Sequence, residues 1–144
     1  MKNLILSIFL VVPFLISAQA ETYADLYNQV INTDDGVSIL YSMELKKDGT
    51  FTFRFLRQLS KSQPKENKYA KGTWSIGSNN VLEFKTNTSE MDEKYTLNLN
   101  DTKARYISKS SRNLSKGEFP NYLQFYDSSI SWVKSMKLVR NGYQ

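Results

Sequence analysis

Val37-Ser38-Ile39-Leu40-Tyr41-Ser42-Met43-Glu44-Leu45-Lys46-Lys47-Asp48-Gly49-Thr50-Phe51-Thr52-Phe53-Arg54-Phe55 is the stretch that decides the fold class. Val37, Ile39, Tyr41, Met43 and Leu45 alternate with Ser38, Leu40, Ser42 and Glu44. Phe51, Phe53 and Phe55 alternate with Thr52 and Arg54. Successive side chains of a strand point to opposite faces, so each half has one apolar face. Lys47-Asp48-Gly49-Thr50 between them reads as a turn, with glycine where positive φ is required. The stretch therefore predicts an antiparallel hairpin with an aromatic inner face.

The same period continues downstream. Residues 69–76 return to strand, and Gly77-Ser78-Asn79-Asn80 turns the chain into a paired strand at 81–86 with Leu82 and Phe84 on one face. Residues 94–100 place Tyr95, Leu97 and Leu99 on one face. Residues 102–108, 122–127 and 130–139 complete the set. Loops are expected at 57–68, which is polar and contains Pro64, and at 109–120. About eight strands at hairpin spacing, with no helix between them, predict an all-β antiparallel up-and-down barrel; an open β-sandwich is the alternative. Upstream the period differs. Tyr23, Leu26, Tyr27, Val30 and Ile31 recur at helical spacing, Thr22 can cap them and Asp25 suits the first turn. A short N-terminal helix across one end of the barrel is expected.

The first twenty residues read as a cleaved secretory signal. Lys2 supplies the positive start, residues 4–16 are almost wholly apolar, and Ser17-Ala18-Gln19-Ala20 places small residues before a cleavage point. The apolar run is shorter than the roughly 20 residues a membrane-crossing helix needs. The expected mature chain is residues 21–144, one domain, acting in the periplasm or outside the cell. Removing Lys2 lowers the formal charge from +5 to +4, a mild excess rather than the charge density of a nucleic-acid binder. There is no cysteine, so no disulfide holds the chain together; nine Tyr, eight Phe and two Trp must supply the core.

Gly72-Thr73-Trp74-Ser75-Ile76 followed by Asn79-Asn80-Val81-Leu82-Glu83-Phe84, with Leu45-Lys46-Lys47-Asp48-Gly49-Thr50-Phe51 upstream, resembles the bacterial exported lipocalin-like domains. The resemblance covers about forty residues. It implies a small calycin-type barrel and carries over no catalytic residue.

Several chemistries are argued against. Without histidine or cysteine, Ser-His-Asp and Cys-His nucleophiles and His- or Cys-ligated metals have no ligands or bases. There is no phosphate loop or dinucleotide fingerprint. Glu90, Asp92 and Glu93 cluster in one loop, where solvated acids are the ordinary reading and calcium the alternative. Glu44, Glu83 and Asp127 lie on strands with outward parity. No enzyme activity, cofactor or metal is expected.

Three kinds of binding remain. The first is a small hydrophobic or amphipathic ligand inside the barrel. Its lining would include Tyr41, Met43, Phe53, Trp74, Phe84, Tyr95, Tyr106 and Trp132, with Ile39 and Leu97. The competing reading is that these side chains simply fill the core. Strict alternation from Trp132 and Met136 also points Lys134 inward; a bulge or a place at the mouth is the alternative. The second is an anionic envelope component held by Arg54, Arg57, Lys61, Lys65 and Lys68, with Lys71 beyond and Lys103, Arg105, Lys109, Arg112 and Lys116 as a second basic run. The third is a protein partner engaged through loops 57–68 and 109–120, where an inhibitor, immunity or assembly role is the natural class. Asn87-Thr88-Ser89, Asn100-Asp101-Thr102 and Asn113-Leu114-Ser115 fit the glycosylation pattern and matter only in a glycosylating host.

Overall fold

A computed structural model describes residues 19–110, 112, 116–117 and 119–141. All of the leader but Gln19 and Ala20 lies outside the described residues, as do Asn113-Leu114-Ser115 and part of loop 109–120.

The described residues form eight strands: β1 Asp25–Asn32, β2 Ser38–Leu45, β3 Thr50–Gln58, β4 Glu66–Ile76, β5 Val81–Lys85, β6 Thr102–Ile107, β7 Tyr122–Asp127 and β8 Lys137–Arg140. Each pairs antiparallel with the next, and β8 returns to β1 through Tyr27↔Arg140 and Asn28↔Val139, closing the barrel. The up-and-down barrel is thus the fold, and the open sandwich is not. The opening hairpin has the register its alternation requires: Tyr41 faces Phe55, Met43 faces Phe53, and Leu45 faces Phe51.

Three local readings are corrected. The helical stripe at Tyr23–Ile31 is strand β1; only residues 19–23 are helical. Tyr27 is fully buried while Val30 is 58% exposed, which a helix with both on one face could not produce. All eight residues of β1 pair with β2, so the ladder satisfies the backbone and covers what would be an open sheet edge. Residues 94–100 are not a strand. Asp92 accepts the Lys94 and Tyr95 amides at 2.8 Å, and the chain touches β4 through the Leu97 amide on the Tyr69 carbonyl at 3.0 Å. Of 130–139, only the last residues are strand. Turns from Val133 to Ile130 and from Met136 to Val133 fold Trp132, Val133 and Met136 into the barrel end. Lys134 is consequently exposed, not inward. The strand number matched because the missed β1 offsets the strand expected at 94–100.

Inside, large side chains meet small ones across the ladders: Phe53 faces Ala70, Leu82 faces Ala104, and Phe51 faces Gly72. Gly72 is a packing requirement. A Cβ there would lie 2.1 Å from the Lys85 carbonyl oxygen, so β4 and β5 can approach this closely only over a glycine.

Strand directions give the barrel two unlike ends. The lower end carries the 19–23 helical turn, the 46–49 turn, the 77–80 turn and the connection from β6 to β7; the upper end carries 33–37, 59–65, 86–101 and 128–136. Among the described residues the lower end is tied together by hydrogen bonds. Arg140 donates through Nε to Asp25 at 2.6 Å, and through Nη1 to the Tyr106 hydroxyl at 3.0 Å and the Thr22 carbonyl at 3.1 Å. The Tyr27 hydroxyl donates to the Tyr23 carbonyl at 2.6 Å, and that of Tyr23 to Asn80 at 2.9 Å. Trp74 donates to the Lys46 carbonyl at 3.1 Å. Burial costs the Arg140 guanidinium some of its proton affinity, but the Asp25 and Tyr106 bonds more than restore it.

Candidate functional site

At the upper end the inward side chains change character. In mid-barrel Met43, Ala70, Leu82, Ala104 and Leu123 have no exposure. One or two steps higher, the same parity places Gln29, Ile39, Tyr41, Arg57, Glu66 and Lys68, all half-buried. The strands therefore continue past the packed core and carry a ring of inward, half-buried side chains above it, here termed the cup.

Aromatic rings make its floor. Phe55 stacks on Trp132 at 4.9 Å between centroids and on Tyr41 at 5.4 Å; Tyr41 and Trp132 lie 5.8 Å apart, and Phe53 lies 6.3 Å below Trp132. Trp132 arrives from the 128–136 turn rather than from a strand, so it covers the stack as a plug on a loop. Each such pair contributes about 0.5–1.5 kcal/mol beyond its area. Burial raises the Tyr41 hydroxyl above its ordinary pKa, with Arg57 opposing, so it is neutral and able to donate at neutral pH.

Charges form the wall above the rings. The Arg57 guanidinium sits 5.8 Å over the Phe55 centroid and donates twice to one oxygen of Glu66, at 2.9 and 2.5 Å. Lys68 holds the other oxygen at 2.9 Å. These bonds, that of Lys68 first and those of Arg57 next, hold the Glu66 carboxyl below the usual glutamate range. Two cations against one carboxylate leave the cup with one positive charge. What the cup offers is a flat apolar surface under a guanidinium and an ammonium.

The residues expected to line a ligand site divide into groups. Tyr41, Phe53 and Trp132 meet in the stack, with Met43 beside Phe53 beneath it. Trp74 and Phe84 face each other across β4 and β5 and are buried lower, with Phe84 stacked on Phe125 at 5.6 Å. Tyr106 is inward but belongs to the lower end, edge-on to Tyr23 at 4.9 Å. Tyr95 does not line the barrel. It lies outside β4, 6.1 Å from the outward ring of Tyr69. The Leu97 bond sets its chain segment beside β4, and the Asp92 turns leave Tyr95 on the outer side next to Tyr69.

The basic run separates in the same way. Arg57 and Lys68 point into the cup, Arg54 and Lys71 point outward, and Lys61 and Lys65 stand exposed on the 59–65 loop. Arg57, Glu66 and Lys68 were missed as cup residues because their stretch reads as loop. The signal was parity: Arg57 is two residues beyond Phe55, and Lys68 two before Ala70. Glu44, Glu83 and Asp127 are outward and exposed as expected, and Glu83 pairs with Lys103 at 3.5 Å. In the acidic loop, Glu90 pairs with Lys71 at 3.8 Å and Asp92 is occupied by backbone amides.

The fold and cup define a closed eight-stranded antiparallel barrel with one hydrogen-bonded end and one aromatic, partly charged end. No protein-family model, curated protein or solved structure matches the chain.

Proposed function

We propose that this is a non-catalytic, exported, lipocalin-like binding protein that takes a small hydrophobic or amphipathic ligand at the Trp132 end of its barrel. The observation that carries this reading is the graded exposure of the inward side chains. They are sealed through the middle, tied by hydrogen bonds below, and end above in a stack whose outer rings, Tyr41 and Trp132, are only half-buried over the buried Phe55. An apolar body that displaced Trp132 would exchange one ring for another on Phe55 and Tyr41. The Arg57 and Lys68 heads would face any anionic group it carried. Export rests on the leader pattern at residues 1–20, and the lipocalin-like class on the Gly72-Thr73-Trp74 and Asp48-Gly49-Thr50-Phe51 segments.

The test uses Trp132 itself. Titrating the mature protein with dodecanoate and with a fluorescent polyene fatty acid should change the tryptophan emission and its quenching by acrylamide. Trp132→Phe should abolish that change while keeping the fold. Native mass spectrometry of protein purified from its own host should show an added small-molecule mass, on a chain that begins at Glu21. Failure of both fatty acids to shift the emission, together with a bare native mass, would reject the reading.

A further inference from the structure

The outer wall of the barrel carries a second arrangement, separate from the cup and independent of it. Two outward rungs lie side by side on β2, β3 and β4: Ser42, Arg54 and Tyr69 in one, Glu44, Thr52 and Lys71 in the next. The 92–97 segment lies beside their β4 end and places Lys94 and Tyr95 there. Cations and rings then alternate. Arg54 lies 6.0 Å from the Tyr69 centroid and Lys94 5.2 Å from it; Lys94 lies 5.3 Å from the Tyr95 centroid and Lys71 4.6 Å from it. Between the rungs and this ladder runs a groove of about 290 Å³, lined by Ser42, Glu44, Thr52, Arg54, Tyr69 and Lys94 among others.

The groove is prepared before any ligand arrives. Asp92 fixes the Lys94 and Tyr95 amides, and Leu97 is pinned to Tyr69, so the wall beside β4 is held by backbone bonds. Among the described residues Arg54 and Lys94 have no carboxylate partner. Arg54 bonds only the side-chain oxygen of Asn67, at 3.2 Å, and Lys71 has Glu90 only at 3.8 Å. Exposed cations set beside aromatic rings, with no carboxylate of their own, are placed to meet an anionic group together with an apolar ring face. Glu44 restricts the choice of anion. It stands on the groove floor beside the Ser42 and Thr52 hydroxyls, where it would repel a phosphodiester chain but would accept hydrogen bonds from hydroxyl groups.

We propose that this outer groove binds an acidic saccharide, a sugar unit bearing a carboxylate or sulfate beside free hydroxyls. The acid group would meet Arg54 and Lys94, the hydroxyls Glu44, Ser42 and Thr52, and the C–H face of the ring the exposed parts of Tyr69 and Tyr95. The size suits one or two sugar units, at the small end of ligand pockets.

Isothermal titration of the mature protein would compare trigalacturonate, a heparin-derived tetrasaccharide, neutral galactotriose and a short single-stranded oligonucleotide. One of the two acidic saccharides should bind at least about tenfold tighter than galactotriose and weaken as salt rises. Arg54→Gln and Lys94→Gln should each reduce that affinity about five- to tenfold, and Trp132→Phe should leave it unchanged. Circular dichroism melts establish that the variants fold. Binding of neither acidic saccharide, equal binding of galactotriose, tighter binding of the oligonucleotide, or insensitivity to both charge substitutions would each overturn the proposal. Loss of binding in Trp132→Phe would assign the effect to the cup instead and overturn it too.

Discussion

Replacing Gly72 by alanine adds one methyl group at the tightest point of the barrel. That carbon would sit 2.1 Å from the Lys85 carbonyl oxygen, 2.9 Å from its carbon and 3.0 Å from the Phe51 ring. An ordinary contact needs more than 3.4 Å, so the overlap with the oxygen exceeds 1 Å, and its partner is backbone. No side chain can rotate away. Relief requires β5 to move off β4, and the pairs nearest that point are Thr73↔Lys85 and Trp74↔Phe84. Moving them loosens Trp74 and Phe84 together, two of the larger core residues. Overpacking typically costs 1–3 kcal/mol, and a backbone clash belongs at or above the top of that range. We expect a loss of about 3 kcal/mol, a large part of a typical domain's 5–15 kcal/mol. The melting temperature should fall on the order of 10 °C. Urea denaturation followed by tryptophan fluorescence measures it, with Gly117→Ala as control, since a Cβ there meets nothing within 4 Å. A Gly72→Ala loss below about 1 kcal/mol would refute the close approach of β4 and β5, and with it the strand path proposed here for the Gly-Thr-Trp segment.

Arg140→Met keeps the bulk of the side chain but removes the bonds to Asp25, Tyr106 and Thr22; with only two residue pairs joining β1 to β8, it should cost about 1–3 kcal/mol, and hydrogen exchange should rise first at Tyr27 and Val139. Glu66→Gln should change urea stability by less than about 1 kcal/mol, because the ion pairs are partly exposed, while raising affinity for dodecanoate by releasing Arg57 and Lys68; a loss of affinity would contradict the cup's charge assignment. Stability should be flat between about pH 5 and 9, since no histidine or cysteine titrates there. It should fall on acidification below about pH 4.5. Asp35, Asp48, Glu66 and Asp92 have lowered folded pKa values, so the unfolded chain takes up protons first and the stabilisation is lost as pH drops through the folded values. Above about pH 10 it should fall again. Tyr23, Tyr27 and Tyr41 are raised, chiefly by burial, so the unfolded state ionises first; a melting temperature that rose from pH 9 to 11 would contradict their burial.

Barrel closure was legible because the hairpin at residues 37–55 keeps strict alternation in both arms, and a register slip would turn Phe51, Phe53 and Phe55 to solvent. β1 was not legible. Its inward positions are Asp25, Tyr27, Gln29 and Ile31, and only Tyr27 is core, because the strand spans from one barrel end to the other and meets apolar surroundings once. A strand of that kind has no period-two signal, and the chance spacing of Leu26 and Val30 supplies a helical one. Trp132 was legible as an inward ring but not as a loop residue; its route depends on the turns at Ile130 and Val133, which local composition does not specify. Tyr95 was misplaced for a related reason. Its alternation with Leu97 and Leu99 is genuine, yet the Asp92 turns rotate the start of the segment, so the two leucines are buried and the tyrosine remains outside.

Polar residues occupy inward positions at both ends, and the contrast between the ends is the strongest physical reason to place function above. At the lower end Asp25, Tyr106 and Arg140 satisfy one another beneath the helical turn, so the inward polar groups of that ring are paired. At the upper end Phe55, Met43 and Ala70 already complete the packed core, so stability gives β3 and β4 no reason to run on to Gln58 and back from Glu66. The extension buries little apolar area, and partly exposed ion pairs contribute at most about 1 kcal/mol. Holding Arg57, Glu66 and Lys68 inward above an aromatic stack therefore gains the fold little. It produces a surface on which a ring-sized apolar body and a charged head could be held together, with Trp132 brought onto it by the 128–136 loop.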